Sequence, residues 1–287
     1  MATTILHPSI ASQPIGIFDS GIGGLTVAAD IAKQFPNESI IYFGDTAHLP
    51  YGEKSVTAIR DYARGITQFL IDQGCKMIVI ACNSASASAY ETLKKEFGEQ
   101  LTILDVISPL VEQVAQHSFR KVGVIATKAT VSTNIYNQQL QQLRPELEVT
   151  SLATGLLAPM IEEGFLNNAI SQATINRYLS YPDFEDIEAL LLACTHYPLI
   201  RKEIEQYLGD SVQVFDSIEA VTNKLKACFE QQPLLQNKTK EIPQYHFWVS
   251  DYTATFEAAA QLFYGKSIQL EQAYWEGEYL VAQLNTK

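Results

Sequence analysis

A chain of 287 residues with 47% hydrophobic and 18% charged residues is globular, with enough apolar material for a real core and two domains. The formal net charge of −12 argues against general affinity for nucleic acid or an anionic membrane, since both need a basic surface. It does not exclude a small anionic substrate, which meets local dipoles and not the total charge.

Residues 1–14 read as a loose leader ending at Pro14. The stretch MATTILHPSIASQPI lacks a basic region followed by an apolar core, so no signal peptide is expected. Ile15–Phe18 reads as a strand, followed by the glycine-rich turn Asp19-Ser20-Gly21-Ile22-Gly23-Gly24 and a helix from about Leu25 to Phe35. The turn matches neither GxGxxG nor GxxxxGK[ST], so it reads as a tight turn approaching a ligand more than as a phosphate cradle. A strand at Ser39–Phe43 leads into a long loop, Gly44 to Gly52, of a size that is often functional. Ser55 caps a predicted helix to about Asp72, with a core face at Ala58, Tyr62, Ile66, Phe69 and Leu70.

Met77–Ala81 is a continuous apolar run, which suits a parallel strand covered on both faces. It runs into Cys82, Asn83 and Ser84, and a small-residue segment then opens a helix. Residues just past such a strand are where α/β proteins place their chemistry. A strand at about Leu101–Val106 follows, and Ile107-Ser108-Pro109 reads as a crossing into a second half.

The second half is predicted to carry strands at Lys121–Ala126, Glu148–Leu152, Ala189–Ala193 and Val212–Phe215, with helical segments after Thr130 and up to about Leu179. A helix over Ile218–Phe229, a polar stretch, a last strand at Tyr245–Val249 and a helix over Tyr252–Phe263 close the chain. The alternation of strands and helices predicts α/β architecture: two similar doubly wound domains with mostly parallel sheets and a cleft between them. Residues 1–106 plus 217–287 form the first predicted domain and 107–216 the second.

The chain also repeats itself. Leu190-Leu191-Leu192-Ala193 runs into Cys194, Thr195 and His196, as the earlier strand runs into Cys82. Ile15-Gly16-Ile17-Phe18-Asp19-Ser20 is echoed by Val122-Gly123-Val124-Ile125-Ala126-Thr127. The offsets nearly agree: 123 − 16 = 107 and 194 − 82 = 112. Each half therefore places one cysteine at a strand end, and the two thiols can address one ligand from opposite sides. A thiolate on one face abstracts a proton from carbon while a thiol on the other face returns one, which inverts a stereocentre. A free thiol has a pKa of ~8.5, so the thiolate needs help from neighbours or from helix starts after Asn83 and Thr195.

Four segments, IGIFDSGIGGLTV, IIYFGDTAHLPYGEKS, VIACNSASA and LLACTHYPLI, resemble in order the signature segments of bacterial glutamate racemases, and FWVSDYTATFEAAAQLFYG resembles that family's C-terminal segment. The resemblance implies a cofactor-independent interconversion of L- and D-glutamate that supplies D-glutamate for peptidoglycan. It implies that Cys82 and Cys194 are the acid/base thiols, assisted by Asp19, His196 and Glu162. Asp19, Ser20, Tyr51, Gly52, Asn83, Ser84, Thr195 and His196 would bind substrate. It further implies a homodimer, no metal and no cofactor. Three departures stand out: Ser84 where the family usually has Thr, His48 where it usually has Arg, and a segment 153–158 without the usual Cys-Pro and aromatic pattern. A small effect is expected from Ser84, and His48 is expected at the surface.

The plainer readings are these. Buried free cysteine is ordinary core material, and Cys75 and Cys228 read that way. Cys194-Thr195-His196 lacks the paired spacing of a zinc site. Asp19 alone reads as a helix cap, Glu162 and Glu163 as a solvated helix face, and His7, His117 and His246 as surface or satisfied core residues. Four cysteines with no CxxC make no disulfide framework and fit a cytosolic protein, and no apolar run approaches the ~18 residues of a membrane span. No lysine stands out as a Schiff-base residue. Two other classes remain open: a module that binds a small anion without chemistry, and a thiol-disulfide protein whose cysteines meet with Cα atoms roughly 4.4–6.8 Å apart.

Overall fold

The computed structural model describes residues 10–239 and 241–282, so His7 and most of the expected leader lie outside the described residues. The first half runs β1 (Ile15–Asp19), α1 (Leu25–Gln34), β2 (Ile40–Gly44), α2 (Val56–Asp72), β3 (Met77–Ile80), α3 (Asn83–Phe97), β4 (Thr102–Asp105) and α4 (Ser108–Ala115). The second runs β5 (Lys121–Ala126), α5 (Lys128–Ser132), α6 (Ile135–Leu143), β6 (Glu148–Ala153), α7 (Leu157–Glu162), α8 (Ala169–Leu179), β7 (Ala189–Ala193), α9 (Arg201–Leu208) and β8 (Gln213–Asp216). Then follow α10 (Ser217–Gln231), β9 (Tyr245–Val249), α11 (Ala254–Tyr264), β10 (Leu270–Glu276) and β11 (Tyr279–Ala282).

Two sheets result, ordered β11-β10-β9-β2-β1-β3-β4 and β6-β5-β7-β8. The segment β2-β1-β3-β4 repeats as β6-β5-β7-β8, so the halves are wound alike. Every pairing is parallel except that of β10 with β11. Gly16 pairs with Ile78 and Gly123 with Leu190. Each cysteine stands four residues beyond that partner, 82 − 78 = 4 and 194 − 190 = 4. The repeat therefore sets both thiols at equivalent points on the carboxyl edges of central strands.

Strands β1, β3 and β7 are buried along their whole length. In β3, Met77 and Val79 face one apolar layer while Ile78 and Ile80 face the other. Burial on both faces is why these strands read as unbroken apolar runs. Helices α1, α10 and α11 cover one side of the seven-stranded sheet, and α2 and α3 the other. Among the described residues no helix is long and apolar enough to cross a membrane.

Several expectations are corrected. The buried stripe of α2 runs through Ile59, Ala63, Ile66 and Leu70, while Ala58 and Tyr62 are only half-buried. The crossing at Ile107-Ser108-Pro109 opens helix α4. Asp105 Oδ1 accepts from the Ile107 and Ser108 amides at 2.7 and 2.8 Å, and Pro109 sits in the first turn, where a missing N–H costs nothing. Tyr245–Val249 is not the last strand, because β10 and β11 extend the sheet beyond it. Ile10–Ser12 forms a 3-10 turn, and Ala11 O accepts from Lys76 Nζ at 2.6 Å, so this part of the leader is docked.

Candidate active site

A cavity of about 330 Å³ opens where the carboxyl edges of the two sheets meet, and both Cys82 and Cys194 line it. Ser20, Tyr51, Gly52, Asn83, Ser84, Glu162, Thr195 and His196 line it as well. Asp19 lies directly behind Ser20 and is fully buried. A larger, more open groove of about 870 Å³ runs along α1 and α10, but it holds neither thiol. Its one arginine, Arg201, is already bonded to Glu205, Asp216 and the Val214 carbonyl. Both thiols and most of the predicted binding residues meet only in the smaller cavity, which is of small-molecule size.

Cys82 caps α3, its Sγ accepting from the Ala85 amide at 3.4 Å and lying 3.6 Å from Ser20 Oγ. Burial, reinforced by the charge of Asp19, pushes this thiol well up, against the Ala85 and Ser20 donors. Asp19 closes β1, and its Oδ2 accepts from the Gly21 amide at 3.1 Å. Burial raises the Asp19 carboxyl above the usual range, while the charge of nearby His196 pulls it back. The first thiol thus sits in an environment that favours its protonated form.

The second thiol is set differently. After Cys194 the chain enters a 3-10 turn over Tyr197–Ile200, and α9 begins only at Arg201. The helix start expected after Thr195 is therefore a 3-10 turn and not an α-helix. An ionisable pair stands in its place. His196 Nδ1 lies 3.6 Å from Cys194 Sγ, and Nε2 lies 2.8 Å from Glu162 Oε1. Burial works against charge on the imidazole, but Cys194 and Glu162 outweigh it and raise His196 to about 10. A protonated ring donates from both nitrogens, one toward sulfur and one to carboxylate.

Two close approaches hold the halves together. An added Cβ at Gly23 would stand 2.5 Å from His196 Cε1 and 2.5 Å from Thr195 Oγ1, and one at Gly52 would stand 2.9 Å from Thr127 Cβ. The glycine-rich turn therefore makes room for the opposite half, not only for a ligand. Thr26 Oγ1 in α1 adds a 3.3 Å bond to the Thr195 carbonyl.

The predicted binding residues differ in what they have free. Asn83 Oδ1 accepts from Tyr136 Oη at 2.7 Å, while Asn83 Nδ2 is buried without a hydrogen-bond partner among the described residues. Ser84 Oγ lies 2.9 Å from Thr127 Oγ1. Tyr51 lends its ring to the wall, but its hydroxyl donates to Asp45 Oδ2 at 2.6 Å. Buried Asp45 also takes Ser250 Oγ at 2.7 Å, Trp275 Nε1 at 2.8 Å and His48 Nδ1 at 3.0 Å. It pins the loop from Gly44 to Gly52 onto the C-terminal strands. Among the described residues no cluster of three or more His, Cys, Asp or Glu side chains is placed to hold a metal.

The Asp/Glu/Hydantoin racemase family model matches residues 23–225. A glutamate racemase from Syntrophus aciditrophicus is 39% identical over 257 residues, which is 89% of this chain and 94% of that protein. The chain belongs to the glutamate racemase family. The crystal structure of glutamate racemase from Francisella tularensis in complex with D-glutamate is 39% identical, with a TM-score of 0.86 over 93% of this chain and 98% of that one. A glutamate racemase isoform from Bacillus anthracis is 31% identical, with a TM-score of 0.86 over 94% and 99%.

The departures from the usual glutamate racemase segments have local explanations. His48 is half-buried, less exposed than expected: it stacks on Tyr62 at 3.9 Å and bonds to Asp45. In segment 153–158, Thr154 is fully buried and its Oγ1 lies 2.7 Å from Tyr197 Oη, so it contributes a polar wall to the cavity. Thr127 and Thr154 line the cavity but were not among the predicted residues. The repeat carried the signal for one of them, since Thr127 stands where Ser20 stands in the first half, 127 − 20 = 107. Of the other histidines, His117 stacks on Phe119 and His246 bonds to Glu271 at 2.7 Å. Cys75 is buried and Cys228 half-buried, both packing residues.

Proposed function

We propose that this protein interconverts L- and D-glutamate by two-base proton transfer without a cofactor, with Cys82 and Cys194 acting from opposite faces of the substrate. The observation that carries this reading is the pairing of two thiols, at equivalent strand ends, on one small cavity. In one direction the sulfur of one cysteine, as thiolate, takes the alpha proton. The electron pair left on carbon spreads into the carboxylate, and the thiol of the other cysteine delivers its proton to the opposite face. No atom is gained or lost, and the roles exchange in the reverse direction. Asp19 assists at Cys82, and His196 with Glu162 assists at Cys194.

Ser20, Gly52, Asn83, Ser84, Thr195 and His196 hold the substrate, the Tyr51 ring forms part of the wall, and Asp19 acts from behind Ser20. Their donors serve the developing negative charge, where fixed dipoles lower a barrier most. The working unit is a cytoplasmic homodimer with its cleft between residues 1–106 plus 217–287 and residues 107–216, and its D-glutamate feeds peptidoglycan.

Polarimetry tests this reading. Purified protein with reductant and no added cofactor should bring solutions of L-glutamate and of D-glutamate to zero rotation. Constant rotation alongside demonstrable glutamate binding would favour a binding module. Inversion of aspartate alone would keep the mechanism and change the substrate.

The His196 pair gives a pH prediction. Its pKa lies above the ordinary value of 6.5 and rises to about 10. Stability from the charged ring is therefore fully present below pH 6.5 and lost as pH passes about 10, and activity that needs the imidazolium falls in the same range. Glu162→Gln removes one of the two anions holding the proton. The alkaline limb of kcat should move down by about one pH unit or more. An unmoved limb would detach Glu162 from His196.

A further inference from the structure

Asn83 follows Cys82 directly and opens α3, so its amide is the polar group nearest the first thiol along the chain. An amide presents oxygen at one end and N–H donors at the other, and only one end can face the cavity. The oxygen end accepts from Tyr136 Oη at 2.7 Å. Tyr136 belongs to α6 of the second half, is 2% exposed and does not line the 330 Å³ cavity. The nitrogen end, Nδ2, is buried without a hydrogen-bond partner among the described residues, on a side chain that does line the cavity. The reversed orientation would leave the Tyr136 proton without an acceptor and turn an oxygen toward the ligand. Burial, with Asp105 and Cys194 nearby, raises the Tyr136 phenol well above its ordinary range, so it remains a donor.

We infer that Tyr136 is a positioning residue: its hydroxyl locks the Asn83 amide so that Nδ2 faces the substrate and donates to a carboxylate oxygen. The inference rests on the proposed racemase reading and adds to it a residue that never touches substrate. It also gives the donor beside Cys82 a dependence on the second half. The lock joins α6 of the second half to the first residue of α3 through one hydrogen bond.

The test is a double-mutant cycle on the full chain, read as KM and kcat for both glutamate enantiomers with the thermal unfolding midpoint alongside. Tyr136→Phe should raise KM roughly tenfold for both enantiomers and change kcat less, as loss of one oriented hydrogen bond would. Asn83→Ala should raise KM at least as much. In the Asn83→Ala background, Tyr136→Phe should then add nothing further. A lower midpoint with unchanged KM, or effects of the two substitutions that multiply, would overturn the inference while leaving racemisation standing. A wild-type protein inert toward both enantiomers would overturn both readings. Asn83→Asp tests the orientation without touching Tyr136. It keeps the acceptor and replaces the donor by oxygen, so KM should rise at least as far as in Asn83→Ala. Retained affinity in Asn83→Asp would mean that the amide faces the other way.

Discussion

Cys82→Ser and Cys194→Ser should each abolish racemisation from both enantiomers, with kcat/KM falling by at least about a thousandfold. Serine keeps the size and most of the hydrogen bonding of cysteine, so the loss isolates acid/base chemistry. A hydroxyl is a far weaker acid than a thiol and supplies neither an accessible anion nor a ready proton. The two directions must fall together, because the enantiomers are equal in free energy and no catalyst shifts their balance. The fold should survive. Position 82 is a helix N-cap, where serine is a favoured residue, and position 194 precedes a turn whose backbone bond from Tyr197 to the residue 194 carbonyl needs no sulfur. Polarimetry from each enantiomer, with a thermal midpoint within a few degrees of wild type, checks this. Turnover within tenfold of wild type in either variant would remove that thiol from the mechanism.

Gly23→Ala should lower kcat by about a hundredfold, although residue 23 holds no reacting group. The new methyl would stand 2.5 Å from both His196 Cε1 and Thr195 Oγ1, far inside van der Waals contact. His196 cannot step aside cheaply. Glu162 holds its Nε2 at 2.8 Å, and Phe263 sets its ring edge-on at 5.1 Å. The cleft must therefore widen, or the ring must leave Cys194. Either change separates a thiol from its proton partner, and a displacement near 1 Å is enough for a loss of that order. Thermal unfolding should shift less than activity, since the contact lies between the halves and not within either core. A variant with wild-type kcat would show that the turn has slack.

The sequence makes the frame legible because the frame is buried. Strands β3 and β7, covered on both faces, leave unbroken apolar runs, and the cysteine after each run marks the carboxyl edge. The near-equal offsets of Gly123 and Cys194 point to two similar halves, and the structure gives them the matching strand orders β2-β1-β3-β4 and β6-β5-β7-β8. Strands β10 and β11 stay hidden because they are half-exposed at the sheet margin, and Leu270–Glu276 mixes apolar, polar and charged residues without a clear period. In α2 the register of Ala58 and Tyr62 lies one residue away from the buried Ile59 and Ala63, and Tyr62 packs at the margin of the core against His48 and Trp275. Asp45, which gathers Ser250 and Trp275 from distant segments besides His48 and Tyr51 of its own loop, and Tyr136, which reaches across to Asn83, draw on long-range contacts invisible to local pattern. Ser250, Trp275 and Asn83 lie far from those residues in the chain, and only folding brings them together. Thr127 is the opposite case, written in the repeat as the counterpart of Ser20.

The most direct test of two bases is the fate of the alpha hydrogen in deuterium oxide. L-Glutamate should be incubated with the protein, stopped at low conversion, and both enantiomers examined by mass spectrometry. If separate thiols serve the two faces, the D-glutamate formed carries deuterium while the unreacted L-glutamate keeps protium, and the pattern inverts when D-glutamate is the starting material. Deuterium entering recovered substrate as fast as it enters product would mean that one base serves both faces, contradicting the division of labour between Cys82 and Cys194.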